Sequence, residues 1–201
     1  MFIVFEGLDG SGKGTQIDIL AKKLREDGKK VFVTCEPTGY DTGKLLREAL
    51  GGRKEITQCG LAGLFLTDRV AHCTNKQDGI AAMLKSGCTV ICDRYYYSSF
   101  AYQGMDTDLG WVIDANLNCP EILKPDVCIY LDVSPEECDK RIESGRDSRE
   151  IFEEIGKIRR IRDKYMEVFK LLKGHNIKIV KAVGSPEEIA KRVYEAIFGE
   201  K

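Results

Sequence analysis

The chain has 201 residues, 31 basic against 32 acidic, for a formal net charge of −1. That balance lacks the basic excess of a nucleic-acid binder, and no apolar stretch is long enough to span a bilayer or serve as a signal peptide. The eight cysteines, at 35, 59, 73, 88, 92, 119, 128 and 138, form no C-x-x-C pair. They are expected to be reduced thiols of a cytoplasmic protein, not a disulfide framework or a metal cluster.

The length suits one domain over 1–201 with a full core. Apolar, β-branched runs at 2–6, 30–34, 89–92, 127–133 and 177–180 predict buried strands, with helical patterns between them. Such alternation calls for an α/β fold, a five-stranded parallel sheet flanked by helices on both faces. Directly behind the first strand stand Gly7, Leu8, Asp9, Gly10, Ser11, Gly12, Lys13, Gly14 and Thr15. Glycines here let backbone N–H groups converge on phosphate oxygens, the following helix adds its positive end, and Lys13 supplies a mobile charge for the outer phosphates. A nucleoside triphosphate is the first ligand to consider. Gly14 stands where a magnesium-binding Ser or Thr is usual, with Thr15 shifted by one. A magnesium ion there would rely more on phosphates and waters.

Further along, Asp27-Gly28 closes the first helix, and Trp111 heads an apolar helix where it is expected in the core. Ser134-Pro135-Glu136-Glu137 and Ser185-Pro186-Glu187-Glu188 each read as an N-cap, a first-turn proline and an acid at the third position. Ile151, Ile155, Ile158, Tyr165, Val168 and Leu172 share one helical face and predict a core stripe, with the basic residues of 157–164 on a solvated face. His72 and His175 have no partners at catalytic spacing and read as surface or packing residues.

The strand Thr89-Val90-Ile91-Cys92 delivers Asp93 and Arg94 to its carboxyl end, where open α/β sheets bind ligands. Asp93 can face a metal-bound water and Arg94 a phosphate; a structural ion pair between the two is the alternative. Ser98, Ser99, Tyr102 and Gln103 follow, with hydroxyls and an amide able to read the edge of a small base.

Asp93-Arg94-Tyr95 followed by Ser98-Ser99 and Ala101-Tyr102-Gln103 resembles the signature segment of thymidylate kinases, nucleoside monophosphate kinases with the P-loop NTPase fold. Phe5-Glu6-Gly7 with Asp9 in the loop, Glu36-Pro37-Thr38, Leu64-Phe65 with Arg69, and Pro125-Asp126 leading to Leu131-Asp132-Val133 are similar to the same family, in family order. The resemblance implies transfer of a phosphoryl group from ATP to dTMP, with Mg²⁺, in a cytoplasmic homodimer, with the helix near 109–118 a candidate for the interface. It implies that Phe65 stacks on thymine, Arg69 bonds the base, Asp9 approaches the 3′-hydroxyl, and Arg94 holds the acceptor phosphate. Ser98, Ser99 and Gln103 would contact the pyrimidine, and Tyr102 would crowd a ribose 2′-hydroxyl. Asp93 through water, with Thr15, would serve the metal. A short lid over 141–150 would bring Arg146 and Arg149 to the triphosphate, so that Lys13, Arg94, Asp9, Arg146 and Arg149 form the catalytic set.

Two departures qualify the resemblance. Cys35 stands where an arginine usually precedes Glu36-Pro37, leaving Lys44 or Arg47 to substitute, or a weaker or different acceptor. Gly12-Lys13-Gly14-Thr15-Gln16 is closer to adenylate kinases. The competing readings are a kinase for another monophosphate, dUMP or AMP, and a non-catalytic ATP-dependent switch.

Overall fold

The computed structural model describes residues 1–143 and 155–199. The elements run β1 (Phe2–Gly7), α1 (Lys13–Glu26), β2 (Val31–Cys35), α2 (Asp41–Leu50), α3 (Gln58–Thr74), α4 (Ile80–Lys85) and β3 (Thr89–Asp93). They continue with α5 (Tyr96–Asp106), α6 (Leu109–Leu117), β4 (Val127–Asp132), α7 (Pro135–Glu143), α8 (Ile155–Leu171), β5 (Ile177–Lys181) and α9 (Pro186–Phe198). The five strands form one all-parallel sheet in the order β2-β3-β1-β4-β5. Each predicted strand is present within a residue or so of its expected bounds.

Central β1 is buried along its whole length, which its run Phe2-Ile3-Val4-Phe5 permits because both faces are covered by helices. Helices α1 and α9 pack together on one side, while α5 packs against α3, α6 and α8. The edge strands are wetter, with Val33 and Ile179 exposed. The helix signals act as read. Ser185 accepts from the Glu188 N–H while Glu188 reaches back to the Ser185 N–H, and Ser134 Oγ accepts from the Glu137 N–H. On α8, Ile158, Tyr165 and Val168 are buried, as is Leu172 just past its end; Ile151 lies outside the described residues.

Two expectations need correction. Trp111 is 43 % exposed on α6, because that helix turns Val112 and Asn116 inward instead. The basic face of α8 is only partly solvated: Arg162 makes a two-pronged pair with Asp132 at 2.8 and 3.0 Å, and Arg159 bonds Glu136 at 2.6 Å. All eight cysteines are free thiols, and no helix among the described residues is long and apolar enough to cross a membrane.

Candidate active site

The loop between β1 and α1 is a cradle of backbone donors. Gly7, Gly10 and Gly12 have φ of 146°, 78° and 92°, a region that side-chain-bearing residues rarely adopt. At Gly7 a Cβ would also come within 2.8 Å of Ser11 Oγ and 3.0 Å of the Leu131 carbonyl. No side chain caps the start of α1 and no acid stands in its first turn, so its first N–H groups are left to an anion. Lys13 is buried, with Nζ donating to the carbonyls of Gly7 at 3.2 Å and Leu8 at 3.1 Å. Burial pulls the Lys13 ammonium below the usual lysine range, and the charge of Arg94 adds to that pull. The side chains of Leu8 and Ser11 are turned into the protein, and Ser11 Oγ has no hydrogen-bond partner among the described residues. Gly14 and Thr15 sit exposed on the cavity wall.

The strand ends converge beside this cradle. Phe5 and Cys35 both pair with Asp93, so the ends of β1, β2 and β3 meet at that residue. Arg94 follows in a left-handed conformation, φ 67°, with its N–H donating to the Phe5 carbonyl at 2.9 Å. Its guanidinium donates to Asp9 Oδ1 at 2.5 Å, to Ser98 Oγ at 3.1 Å and to the Tyr102 hydroxyl at 3.4 Å, and lies 5.2 Å from the Tyr102 ring centre. The ion pair expected as the alternative for Asp93 and Arg94 is not formed: Arg94 pairs with Asp9, and Asp93 Oδ1 is buried without a hydrogen bond among the described residues.

Helix α3 supplies the far wall. Arg69 is 1 % exposed, yet it lines the cavity. Its Nε and Nη2 donate to Glu36 Oε2 at 2.9 and 2.6 Å, Nη1 to Asn116 Oδ1 at 2.5 Å, and Nη2 also to Ser99 Oγ at 3.2 Å. His72 bridges Glu36 Oε1 and Thr34 Oγ1 at 3.1 and 2.7 Å, which makes it a buried packing residue. One turn earlier, Asp68 accepts from the Thr38 N–H and from the hydroxyls of Thr38 and Thr42. The Glu36-Pro37-Thr38 turn is therefore held from two sides, by charge-assisted bonds that are shorter and stronger than neutral ones. Phe65, half-buried, packs against Leu46, Ala49 and Leu61 and also forms cavity wall.

Together these surfaces enclose a cavity of about 610 Å³, within the range of small-molecule sites. Asp9, Lys13, Phe65, Arg69, Arg94 and Gln103 all line it, as do Asp93, Ser98 and Tyr102. The Gln103 amide is buried on the wall and makes no side-chain hydrogen bond among the described residues. Ser99 does not reach the wall; its hydroxyl is spent on Arg69. Ser98 does reach it, but its hydroxyl bonds Glu6 at 2.6 Å as well as Arg94, so both readings of these serines as direct base contacts are displaced by their buried partners. Cys35 and Arg47 share the wall, whereas Lys44 is exposed beside Asp41, 2.8 Å away. Arg146 and Arg149 lie outside the described residues, as does most of the segment read as a lid.

Three participants escaped sequence reasoning. Glu6 is a carboxyl at 0 % exposure beneath the loop; its signal was a charge inside an otherwise apolar strand run. Tyr165, read only as core, also bonds Glu6 at 2.8 Å. Arg141, at the boundary of the predicted lid, has a guanidinium nitrogen 4.0 Å from where a Gly12 Cβ would stand, which a spacing argument over the intervening 128 residues cannot show.

Comparison with known proteins agrees with this geometry. The family model described as thymidylate kinase matches residues 5–193. A probable thymidylate kinase of Methanococcus aeolicus is 40% identical over 100% of this chain and 97% of its own. One from Thermococcus gammatolerans is 37% identical over 96% and 93%, and a thymidylate kinase of Leptospira borgpetersenii is 35% identical over 97% and 92%. With similarity running from β1 into α9 at such identity, the chain belongs to the thymidylate kinase family.

Proposed function

We infer that the chain transfers the γ-phosphoryl group of ATP to dTMP, yielding ADP and dTDP, as one kinase domain over 1–201. The observation that carries this reading is a single cavity bounded at one end by the Lys13 cradle and at the other by the α3 wall of Phe65 and Arg69. Two polyanions must meet between them, so the chemistry is positioning and charge neutralisation. An oxygen of the dTMP phosphate attacks the γ-phosphorus while the bond to the β,γ-bridging oxygen breaks; no side-chain nucleophile takes part.

In this reading the ATP phosphates lie on the N–H groups of the Gly7–Thr15 loop, with Lys13 swinging from its two carbonyl partners to the outer phosphates and Arg141 alongside. Phe65 stacks on thymine, a contact worth roughly 1–3 kcal/mol. The Gln103 amide meets the base edge, and Arg69, fixed by Glu36, offers its remaining donor. Asp9 approaches the 3′-hydroxyl and Tyr102 crowds the 2′ position. Arg94 holds the acceptor phosphate, and Arg47 on the same wall, turning from the Thr38 and Gly43 carbonyls to which it donates, replaces the cation missing at Cys35; Lys44 does not line the cavity. Arg146 and Arg149 are assigned to the triphosphate side. Magnesium, when bound, supplies charge neutralisation on the phosphates. The residues fit it: the orphaned Asp93 Oδ1 suits a metal-bound water, and the Thr15 hydroxyl stands on the wall. We further assign the protein to the cytoplasm as a homodimer, for which exposed Trp111 and Leu117 of α6 offer apolar surface.

The test is ADP release from ATP with dTMP, dUMP and AMP as acceptors. dTMP is expected to give the highest kcat/KM, and Lys13→Ala to lower turnover by at least a hundredfold in a folded protein. Preference for AMP or dUMP would overturn the acceptor assignment, and ATP hydrolysis indifferent to acceptor would favour a switch.

A further inference from the structure

Arg94 is the only residue other than glycine at positive φ among the described residues, and it sits where the proposed acceptor phosphate binds. Such a conformation is strained and persists only where its surroundings over-determine it. The Phe5 carbonyl holds the Arg94 N–H at 2.9 Å, and Glu6 holds the backbone that follows. Its Oε1 accepts from the backbone N–H of Tyr95 at 2.8 Å and of Ser98 at 3.1 Å, the residue after Arg94 and the first turn of α5. Its Oε2 accepts from Ser98 Oγ at 2.6 Å and the Tyr165 hydroxyl at 2.8 Å. Ser98 Oγ in turn accepts from Arg94 Nη1 at 3.1 Å. One carboxylate thus holds both the backbone and, through one hydroxyl, the guanidinium of Arg94.

A fully buried carboxylate is an expensive brace. Burial pushes the Glu6 carboxyl above the usual carboxylate range, and the Arg94 charge with the Ser98 and Tyr165 hydroxyls and the Tyr95 N–H opposes that. A neutral apolar residue would fill the space in β1 with less penalty, as its neighbours Val4 and Phe5 do.

We propose that Glu6 is a positioning residue for Arg94, setting through Ser98 and the start of α5 the orientation in which the guanidinium receives the acceptor phosphate. This rests on the reading of Arg94 as the phosphate-holding group. Glu6 touches no substrate: it lies off the cavity wall, with Ser98 and Arg94 between.

The experiment measures the affinity of the full chain for dTMP and for thymidine by calorimetry; their ratio isolates what is gained from the phosphate. Arg94→Gly, which suits the left-handed backbone, is expected to collapse the ratio. Glu6→Gln is expected to lower it at least tenfold while thymidine affinity stays within threefold. The double variant is expected to lose no more than Arg94→Gly alone, the non-additivity of residues acting as a unit. Ser98→Ala keeps the backbone bonds and is expected to lower the ratio three- to tenfold; it carries the test if Glu6→Gln does not fold. Tyr165→Phe removes a bond to Glu6 and a contact with Ser98 Oγ at 2.9 Å but none to Arg94, and is expected to lower the ratio less than Ser98→Ala does. A merely structural Glu6 would lower melting temperature and both affinities together. A folded Glu6→Gln, or failing that Ser98→Ala, that keeps the ratio while Arg94→Gly loses it overturns the positioning role alone. An unchanged ratio in Arg94→Gly overturns the phosphate assignment and the positioning role with it.

Discussion

Cys35→Arg places a guanidinium at the end of β2, on the cavity wall and beside Asp93 in the β2–β3 register. The side chain there is exposed, so the longer residue meets no packed neighbour that must move. A charge-assisted hydrogen bond to the acceptor phosphate contributes roughly 1.5–3 kcal/mol. Ordering a free arginine takes back up to about 2 kcal/mol, of which roughly half is lost here because Asp93 and Glu36 already attract the new charge in the empty site. The net is about 0.5–2 kcal/mol, which at roughly 1.4 kcal/mol per decade is about a two- to thirtyfold tighter dTMP complex. Calorimetry with dTMP reads the gain, and thymidine, lacking the phosphate, is expected to show none. A folded variant whose dTMP affinity stays within twofold of the parent, or whose thymidine affinity rises equally, would refute the placement of the acceptor phosphate beside Cys35.

Arg69→Met strands the buried Glu36 carboxylate and is expected to destabilise the fold by about 3–5 kcal/mol, read as a lower urea midpoint; a loss under about 1 kcal/mol would show the pair is dispensable. Gly14→Ser meets open space, since no atom lies within 4 Å of the added Cβ. It is expected to leave or slightly raise melting temperature, because serine outranks glycine in a helix by a few tenths of a kcal/mol, and to lower the magnesium concentration needed for half-maximal ATP binding; an unchanged magnesium requirement counts against a metal near α1. Although exposed, the Cys35 thiol is partly desolvated by the cavity wall, and this, with Asp93 and Glu36 adding to it, holds it above the ordinary thiol range despite the opposing Arg47 charge. Below that range the thiol is neutral, so iodoacetamide labelling at pH 7 should be slow, accelerate as pH rises past about 9, and be blocked by dTMP; peptide mapping that finds Cys35 labelled first among the eight at pH 7 would contradict it.

Much of the architecture was legible because it is written in local periods. Strands buried on both faces read as unbroken apolar runs, Ser185 and Ser134 announced their helices, and the glycine spacing of the loop declared a phosphate cradle. The site was legible only in outline. That Phe65 and Arg69 share a helix face follows from a four-residue spacing. That Arg69 is clamped by Glu36, 33 residues away, does not. Ser98 and Ser99 show the limit: both have the right chemistry for a base edge, yet one hydroxyl is consumed by Glu6 and the other by Arg69.

The sequence by itself determined the parallel α/β class, the triphosphate cradle and the likeness to thymidylate kinases, because each rests on residues near one another in the chain. Only the tertiary structure decided that Arg94 pairs with Asp9, that Asp93 Oδ1 has no hydrogen-bond partner among the described residues, that Arg47 and not Lys44 stands beside Cys35, and that a buried Glu6 braces the whole corner. These depend on strand order: setting β1 between β3 and β4 brings side chains from the ends of separate strands within hydrogen-bonding distance, and separation along the chain carries no record of that neighbourhood.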